Sequence, residues 1–154
     1  MIAPRIRSSI VLAMAVTALM APTAQARSHT GRIAAPPVLR TRMLGFVNHT
    51  RALHNLPPLR INTRLSSEAL HHSVQMAHDS ELSHTANLDE LITSEGGTVF
   101  GENLGKGRGL RGIRDAWLHR ADTRSILLDP RFVHVGLGVV HIDGFYWVTF
   151  QAFD

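Results

Sequence analysis

The strongest constraint on the fold of this chain is a change in its hydrophobic period after residue 132. Apolar residues then alternate with other residues, the dipeptide Asp143-Gly144 follows, and a second run is rich in aromatic and β-branched residues. Alternation is typical of a half-buried strand, and Asp-Gly between two such runs indicates a two-residue hairpin turn. Residues 133–150 are therefore predicted to form a β-hairpin, whose first strand alternates at Val133, Val135, Leu137 and Val139.

The segments before the hairpin instead carry apolar residues at steps of three and four, which predicts amphipathic helices. The first is stopped by Pro57-Pro58, and residues 59–61 after it have the pattern of a short extended segment. The predicted helices are 39–54, 64–81, 110–118 and a further turn at 124–128. Helices followed by a hairpin predict an α+β fold, with helices layered on a small antiparallel sheet.

The N-terminal residues have the pattern of an export signal. Arg5 and Arg7 precede an apolar run of about a dozen residues, and Ala24-Gln25-Ala26 fits a small-x-small cleavage site. We predict a signal peptide over 1–26, a flexible leader over 27–38 and one domain over 39–154, in a protein that is secreted to the cell envelope or outside. It would meet the membrane only during export, and the alternative is an uncleaved anchor.

Composition excludes several classes of function. Removal of the signal peptide leaves 14 basic residues against 12 acidic ones, and the basic residues are scattered, so the sequence does not predict nucleic-acid binding. The chain has no cysteine, which excludes disulfides, thiolate catalysis and zinc–thiolate sites. Ten histidines leave imidazole chemistry open.

Two side chains stand out as a candidate catalytic pair. His84 follows the second predicted helix, and Glu102 lies in a glycine-rich passage that we interpret as a turn. An imidazole and a carboxylate that meet can act as an acid–base pair or share a divalent metal such as zinc. The alternative is structural: Glu102 accepts backbone N–H bonds within its turn, and His84 pins the loop. His72 lies in the apolar stripe of the second helix, where we expect a hydrogen-bonded core histidine.

Several short motifs follow one another over about residues 42–152. They are Asn48-x-x-Arg51, His72-Ser73-x-x-Met76-Ala77, Ser83-His84, Gly101-Glu102-Asn103, Ala116-Trp117, Arg124-x-x-Leu127-Leu128-x-Pro130-Arg131-Phe132-x-His134 and Tyr146-Trp147-Val148. In this order and spacing they resemble the CAP or SCP superfamily of cysteine-rich secretory, antigen 5 and pathogenesis-related proteins, in particular its bacterial single-domain members.

This resemblance implies an α–β–α sandwich around a three-stranded antiparallel sheet, with a cleft that carries two histidines and two glutamates. His84 matches the first histidine and Glu102 the first glutamate. The other motif residues expected in or beside the cleft, with structural roles, are His72, Asn103, Trp117, Thr123 and His134.

The chain departs from the family pattern at half of that cleft. Thr123 stands where bacterial relatives have the second histidine, and Arg120 lies near the position of the second glutamate. Threonine is a poor metal ligand and no general base. His119, close by, is a candidate second ligand of a weak metal site with His84, and the alternative is a solvated residue at a helix end.

Two functions follow from the resemblance. The first is a secreted, non-enzymatic module that binds a lipid, a glycan or a protein through a degenerate His/Glu cleft. The second is a metal-dependent hydrolase or peptidase, with His84 as ligand and Glu102 as base. Catalytic zinc normally has three protein ligands, which favours the first function. The sequence does not name the ligand or the oligomeric state, and it indicates no cofactor beyond a candidate zinc ion.

Overall fold

The computed structural model describes residues 36–154, so the predicted signal peptide and residues 27–35 of the leader lie outside the described residues. The elements are α1 Pro36–Leu53, β1 Arg60–Ile61, α2 Thr63–Asp79, α3 Leu88–Ser94, β2 Phe100–Gly107, α4 Leu110–His119, α5 Ala121–Leu127, β3 His134–Ile142 and β4 Phe145–Phe153. None of the helices within residues 36–154 has the length and apolarity needed to cross a bilayer.

The fold is α+β as predicted, but the sheet differs from the expected three antiparallel strands. It has four strands in the order β1-β3-β4-β2, and β1 runs parallel to β3. The remaining pairs are antiparallel. The two-residue β1 joins the sheet because Arg60 N–H donates to the Val133 carbonyl and Asn62 N–H donates to the Val135 carbonyl. The extended segment predicted over 59–61 is therefore confirmed, whereas its pairing with a distant strand leaves no local periodicity.

The hairpin of β3 and β4 is confirmed. Asp143 has φ 49° and Gly144 has φ 78°, so both central residues occupy the left-handed region that a two-residue hairpin turn requires. Ile142 and Phe145 form the pair next to this turn. The turn sequence therefore determines the register of the two central strands of the sheet.

Helices cover both faces of the sheet. On one face α2 approaches so closely that a Cβ added at Gly138 would lie 2.1 Å from the Ala69 carbonyl oxygen. On the other face α1, α4 and α5 pack against a core that includes Trp117, Leu137 and Phe150. The sheet is therefore the middle layer of an α–β–α sandwich.

The start of the first helix and one additional helix differ from prediction. Helix α1 begins at Pro36, so residues 36–38 of the predicted flexible leader are helical. Proline is tolerated in a first helical turn because its missing N–H would have no intrahelical partner there. Helix α3 lies between the second and third predicted helices, where no helix was predicted, and it buries Leu88 and Ile92 against Leu65 and Phe153.

Arg51 in α1 is fully buried. Its guanidinium donates at 2.9–3.2 Å to four backbone carbonyls, those of Pro57, Leu127, Asp129 and Phe132. Burial lowers the pKa of Arg51, and the charge of Asp129 opposes that effect. The side chain therefore ties the exit of α1 to the loop that connects α5 to β3.

Candidate functional site

A cavity of about 510 Å³ opens along β2, the edge strand of the sheet. One wall is the loop after α2, with Leu82 and His84, and the opposite wall is formed by α4 and α5, with Trp117 and Ile126. The other lining residues are Glu102, Asn103, Leu104, Gly105, Lys106, Ile113, Ala116, Arg120, Asp122 and Thr123. This volume lies within the roughly 300–1,000 Å³ of typical ligand sites. A depression of about 540 Å³ on the outer surface of α5 contains none of the predicted site residues.

Glu102 lies in strand β2, and the predicted turn at this position is wrong. The flanking glycines are present because helices pack directly on the strand: a Cβ at Gly105 would lie 2.3 Å from Ile113. Sequence patterning mistakes such glycines for turn residues, whereas here they allow close approach of the backbone. The strand places Glu102 opposite Gln151 of β4.

Four donors surround the Glu102 carboxylate. Its Oε1 accepts from Thr85 N–H at 3.0 Å and lies 2.7 Å from His84 Nδ1. Its Oε2 accepts from the Thr85 hydroxyl at 2.5 Å and from Gln151 Nε2 at 2.9 Å. A carboxylate offers about four lone-pair positions, so this group is saturated by protein donors.

Burial alone would raise the pKa of Glu102. The hydrogen bonds from Thr85, Gln151 and His84 outweigh that effect, and the net pKa lies below the ordinary value for glutamate. The carboxylate is therefore ionised at neutral pH and accepts on both oxygens.

The ionised state of Glu102 determines the proton position on His84. Its Nδ1 must carry a hydrogen to donate to the carboxylate, which leaves the lone pair of the neutral ring on Nε2. The His84 side chain is 76% exposed, so its ring is open to solvent. The loop is held from behind by His72, whose Nε2 lies 2.6 Å from the Ser83 carbonyl oxygen.

Two hydrogen bonds hold the opposite wall to β2, and a third joins the two helices of that wall. Trp117 Nε1 donates to the Leu104 carbonyl at 2.7 Å, and Asn103 Nδ2 donates to the Thr123 carbonyl at 2.8 Å. The Thr123 hydroxyl donates back to the Trp117 carbonyl at 2.9 Å. Thr123 therefore bonds to the end of α4 in this chain.

The other predicted site residues are dispersed. His72 is half-buried on α2 rather than fully in the core. His119 is exposed at the end of α4, its Nδ1 lies 2.6 Å from the Asp115 carbonyl oxygen, and it is not among the cavity-lining residues. His134 stacks on Phe153 at 5.2 Å, outside that cavity. Within residues 36–154 no three histidine, aspartate or glutamate side chains are grouped to hold a metal ion.

Sequence patterning missed two residues of the site, Thr85 and Gln151. Thr85 directly follows His84, and its hydroxyl bridges Gln151 Nε2 and Glu102 Oε2. Gln151 could have been found from its place directly after the predicted second hairpin strand, where an amide among apolar residues is unusual. Its Oε1 and the Oδ1 of Asn103 are buried without a hydrogen-bond partner among the described residues.

The sequence model of the family described as "CAP: Cysteine-rich secretory protein family" matches residues 44–151, most of the chain. The chain belongs to this family. His84 and Glu102, the two residues that the sequence resemblance assigned to the cleft, are in contact. No curated protein matches the chain.

Solved structures agree in fold. An extracellular SCP-domain protein of Bacillus anthracis is 24% identical with a TM-score of 0.63, over 77% of this chain and 41% of that protein. An outer surface protein of Borrelia burgdorferi is 16% identical with a TM-score of 0.68, over 80% and 99%. A cysteine-rich secretory protein of Staphylococcus aureus is 20% identical with a TM-score of 0.59, over 75% and 38%. The chain therefore spans less than half the length of the first and third.

Proposed function

We propose that this CAP domain is an exported binding module, which holds a ligand in the cavity along β2 and does not convert it chemically. The observation that supports this function is the saturation of Glu102. Each of its oxygens already accepts from two groups, counting His84 Nδ1 as a donor, so no lone pair is free to take a proton from water or to bind a metal.

The alternative function, a metal-dependent hydrolase or peptidase, lacks partners for its metal. His84 Nε2 provides one ligand position, and Thr123 replaces the residue that would provide the next. Catalytic zinc is normally bound by three protein ligands, because the fourth position must stay open to water. In our proposal the carboxylate orients the His84 ring and stabilises its loop.

The cavity suits a ligand with both apolar and hydrogen-bonding groups. Trp117, Ile113 and Ile126 form its apolar side, whereas His84 and Lys106 provide polar groups. Export to the envelope or the outside rests on the signal pattern, and the descriptions of the Bacillus protein as extracellular and the Borrelia protein as an outer surface protein support it.

Binding can be followed by tryptophan fluorescence in a Trp147→Phe variant, which leaves Trp117 in the cavity wall as the only tryptophan. The variant is titrated with sodium dodecanoate, chitotriose and a tryptic digest of casein, as lipid, glycan and peptide probes. We expect at least one probe to shift the emission, and His84→Ala to weaken that response. His78→Ala is the matched control, because His78 is exposed on α2 and outside the cavity.

Two results would overturn the binding proposal. One is the absence of any fluorescence response to all three probes. The other is hydrolysis of casein or of a p-nitrophenyl ester that requires zinc and disappears in Glu102→Gln. Calorimetric zinc titration of the protein and of His84→Ala adds a direct check: we expect a Kd weaker than about 1 mM.

A further inference from the structure

The outer edge of β2 presents backbone groups that no strand pairs. In an antiparallel pair, successive residues turn their N–H and C=O groups alternately toward the partner strand and away from it. The Val135 carbonyl accepts from Asn62 N–H, so the backbone N–H and C=O of Val135 point toward β1. The backbone groups of its partner Ala152 in β4 must then point away from β3 and toward β2, where Ala152 pairs with Gly101.

The register extends this alternation along β2. The backbone N–H and C=O groups point toward β4 at Gly101, Asn103 and Gly105. They point away from β4, toward the cavity, at Glu102, Leu104 and Lys106. The bond from Trp117 Nε1 to the Leu104 carbonyl agrees with this assignment, because that oxygen accepts from the indole of α4. Within residues 36–154, five outward groups have no protein partner: N–H and C=O of Glu102, N–H of Leu104, and N–H and C=O of Lys106.

The shape of the cavity selects what can pair with this edge. An open strand edge is a template for another strand, and proteins normally blunt it or cover it. Here the edge lies between the loop of Leu82 and His84 and the wall of Trp117 and Ile126. A partner of this edge must therefore lie between the two walls, which favours one extended chain over a second sheet.

We propose that the ligand of this cavity is an extended peptide segment, which adds to β2 as a fifth strand. This inference rests on the proposed binding function and names its ligand class. Main-chain hydrogen bonds to Glu102, Leu104 and Lys106 supply the affinity, as in other cases of strand addition. Alternate side chains point to opposite walls, so one set is apolar and contacts Trp117. The other set carries hydroxyl or amide groups that donate to His84 Nε2.

The probe is the peptide Ac-Thr-Val-Thr-Val-Thr-NH2, titrated into ¹⁵N-labelled protein and followed by the amide resonances. Two analogues are N-methylated, one at the three threonines and one at the two valines. Only alternate amides of an added strand donate to its neighbour, in either strand direction. We expect the parent peptide to shift the amides of residues 102–106. One analogue should lose at least about tenfold in affinity, and the other should bind as the parent does.

Lys106→Pro tests the protein side of the contact. It removes the outward N–H but no bond to β4, and proline is tolerated on edge strands. Lys106→Ala is the matched control, since it removes the same charge and keeps the N–H. We expect Lys106→Pro to bind the parent peptide at least about threefold more weakly than Lys106→Ala. The reason is that proline cannot donate the hydrogen bond that the alanine N–H still makes to the peptide. Thermal unfolding identifies a misfolded proline variant, and the N-methyl series alone then decides.

Four results would overturn the peptide inference. Equal affinity or equal loss for the two analogues would show that side chains alone carry binding. A dimer in sedimentation, with residues 102–106 at its interface, would assign the edge to a second copy of the chain. Binding of dodecanoate or chitotriose without the peptide would reject the inference and leave the proposed binding function standing, whereas no response to any probe would reject both.

Discussion

Trp117 Nε1 lies 2.7 Å from the Leu104 carbonyl oxygen and donates a hydrogen bond to it. The bond joins α4 to the middle of the outward edge of β2, and among residues 36–154 it is the only protein bond to that edge between Glu102 and Lys106. Trp117 therefore contributes to the core, forms a wall of the cavity, and satisfies the Leu104 carbonyl, so that this oxygen is not among the unpaired groups of the edge.

Replacement of Trp117 by phenylalanine separates the hydrogen bond from the packing. Trp117→Phe leaves the Leu104 carbonyl without its donor, and a lost bond of this kind costs about 1 kcal/mol beyond the lost apolar area. The control is Trp147→Phe, which removes a similar area from a buried indole that makes no hydrogen bond in this structure. Urea unfolding should show the larger loss for Trp117→Phe, and equal losses would contradict a role for the bond.

Glu102 should make the stability of the fold depend on pH. Its pKa is lowered in the folded state, so its contribution is present above the ordinary carboxyl pKa and is lost as pH falls through the folded value. Glu102→Gln should therefore lose about 1–3 kcal/mol at pH 7 and approach the parent below about pH 4.

Thermal unfolding of the parent and the Glu102→Gln variant between pH 7 and pH 3 measures this convergence. Glu68→Gln is the control, because Glu68 is exposed on α2. A difference between parent and Glu102→Gln that stays constant over the whole range would be inconsistent with an ionised carboxylate as the acceptor.

Arg51→Lys should be strongly destabilising although the charge is kept. The planar guanidinium donates to four separate carbonyls, and a lysine ammonium cannot reach all four. Buried carbonyl oxygens would therefore lose their donors. We expect a loss of about 3–5 kcal/mol in the free energy of unfolding, measured with urea. Arg42→Lys, at an exposed position of the same helix, should change it by less than about 0.5 kcal/mol.

Two glycine-to-alanine changes should act in opposite directions. Gly138→Ala places a Cβ 2.1 Å from the Ala69 carbonyl oxygen, and backbone cannot yield as a side chain tip would, so we expect a loss of at least about 3 kcal/mol. Gly112→Ala lies inside α4 with no atom within 4 Å of the new Cβ, and should stabilise by about 0.5–1 kcal/mol. Circular dichroism melts of both variants check the signs.

The sequence by itself determined the elements that depend on near neighbours. Asp143-Gly144 adopts the two left-handed conformations that its chemistry favours, and the hairpin follows. Asn62 caps α2 by accepting from Leu65 N–H three residues on. Periods of 2 and 3.6 and caps act over a few residues, so they are legible along the chain.

Only the tertiary structure decided the parts that join distant segments. Gln151 meets Glu102 across 49 positions, and Arg51 reaches the Phe132 carbonyl across 81. The glycines of β2 resemble a turn in sequence until α4 and α5 pack on them, and β1 becomes a strand only through its pairing with β3. These partners are selected by layer packing and strand register, which no local pattern records. The sequence therefore pointed to His84 and Glu102, and the fold decided how that carboxylate is satisfied and which strand edge lies beside it.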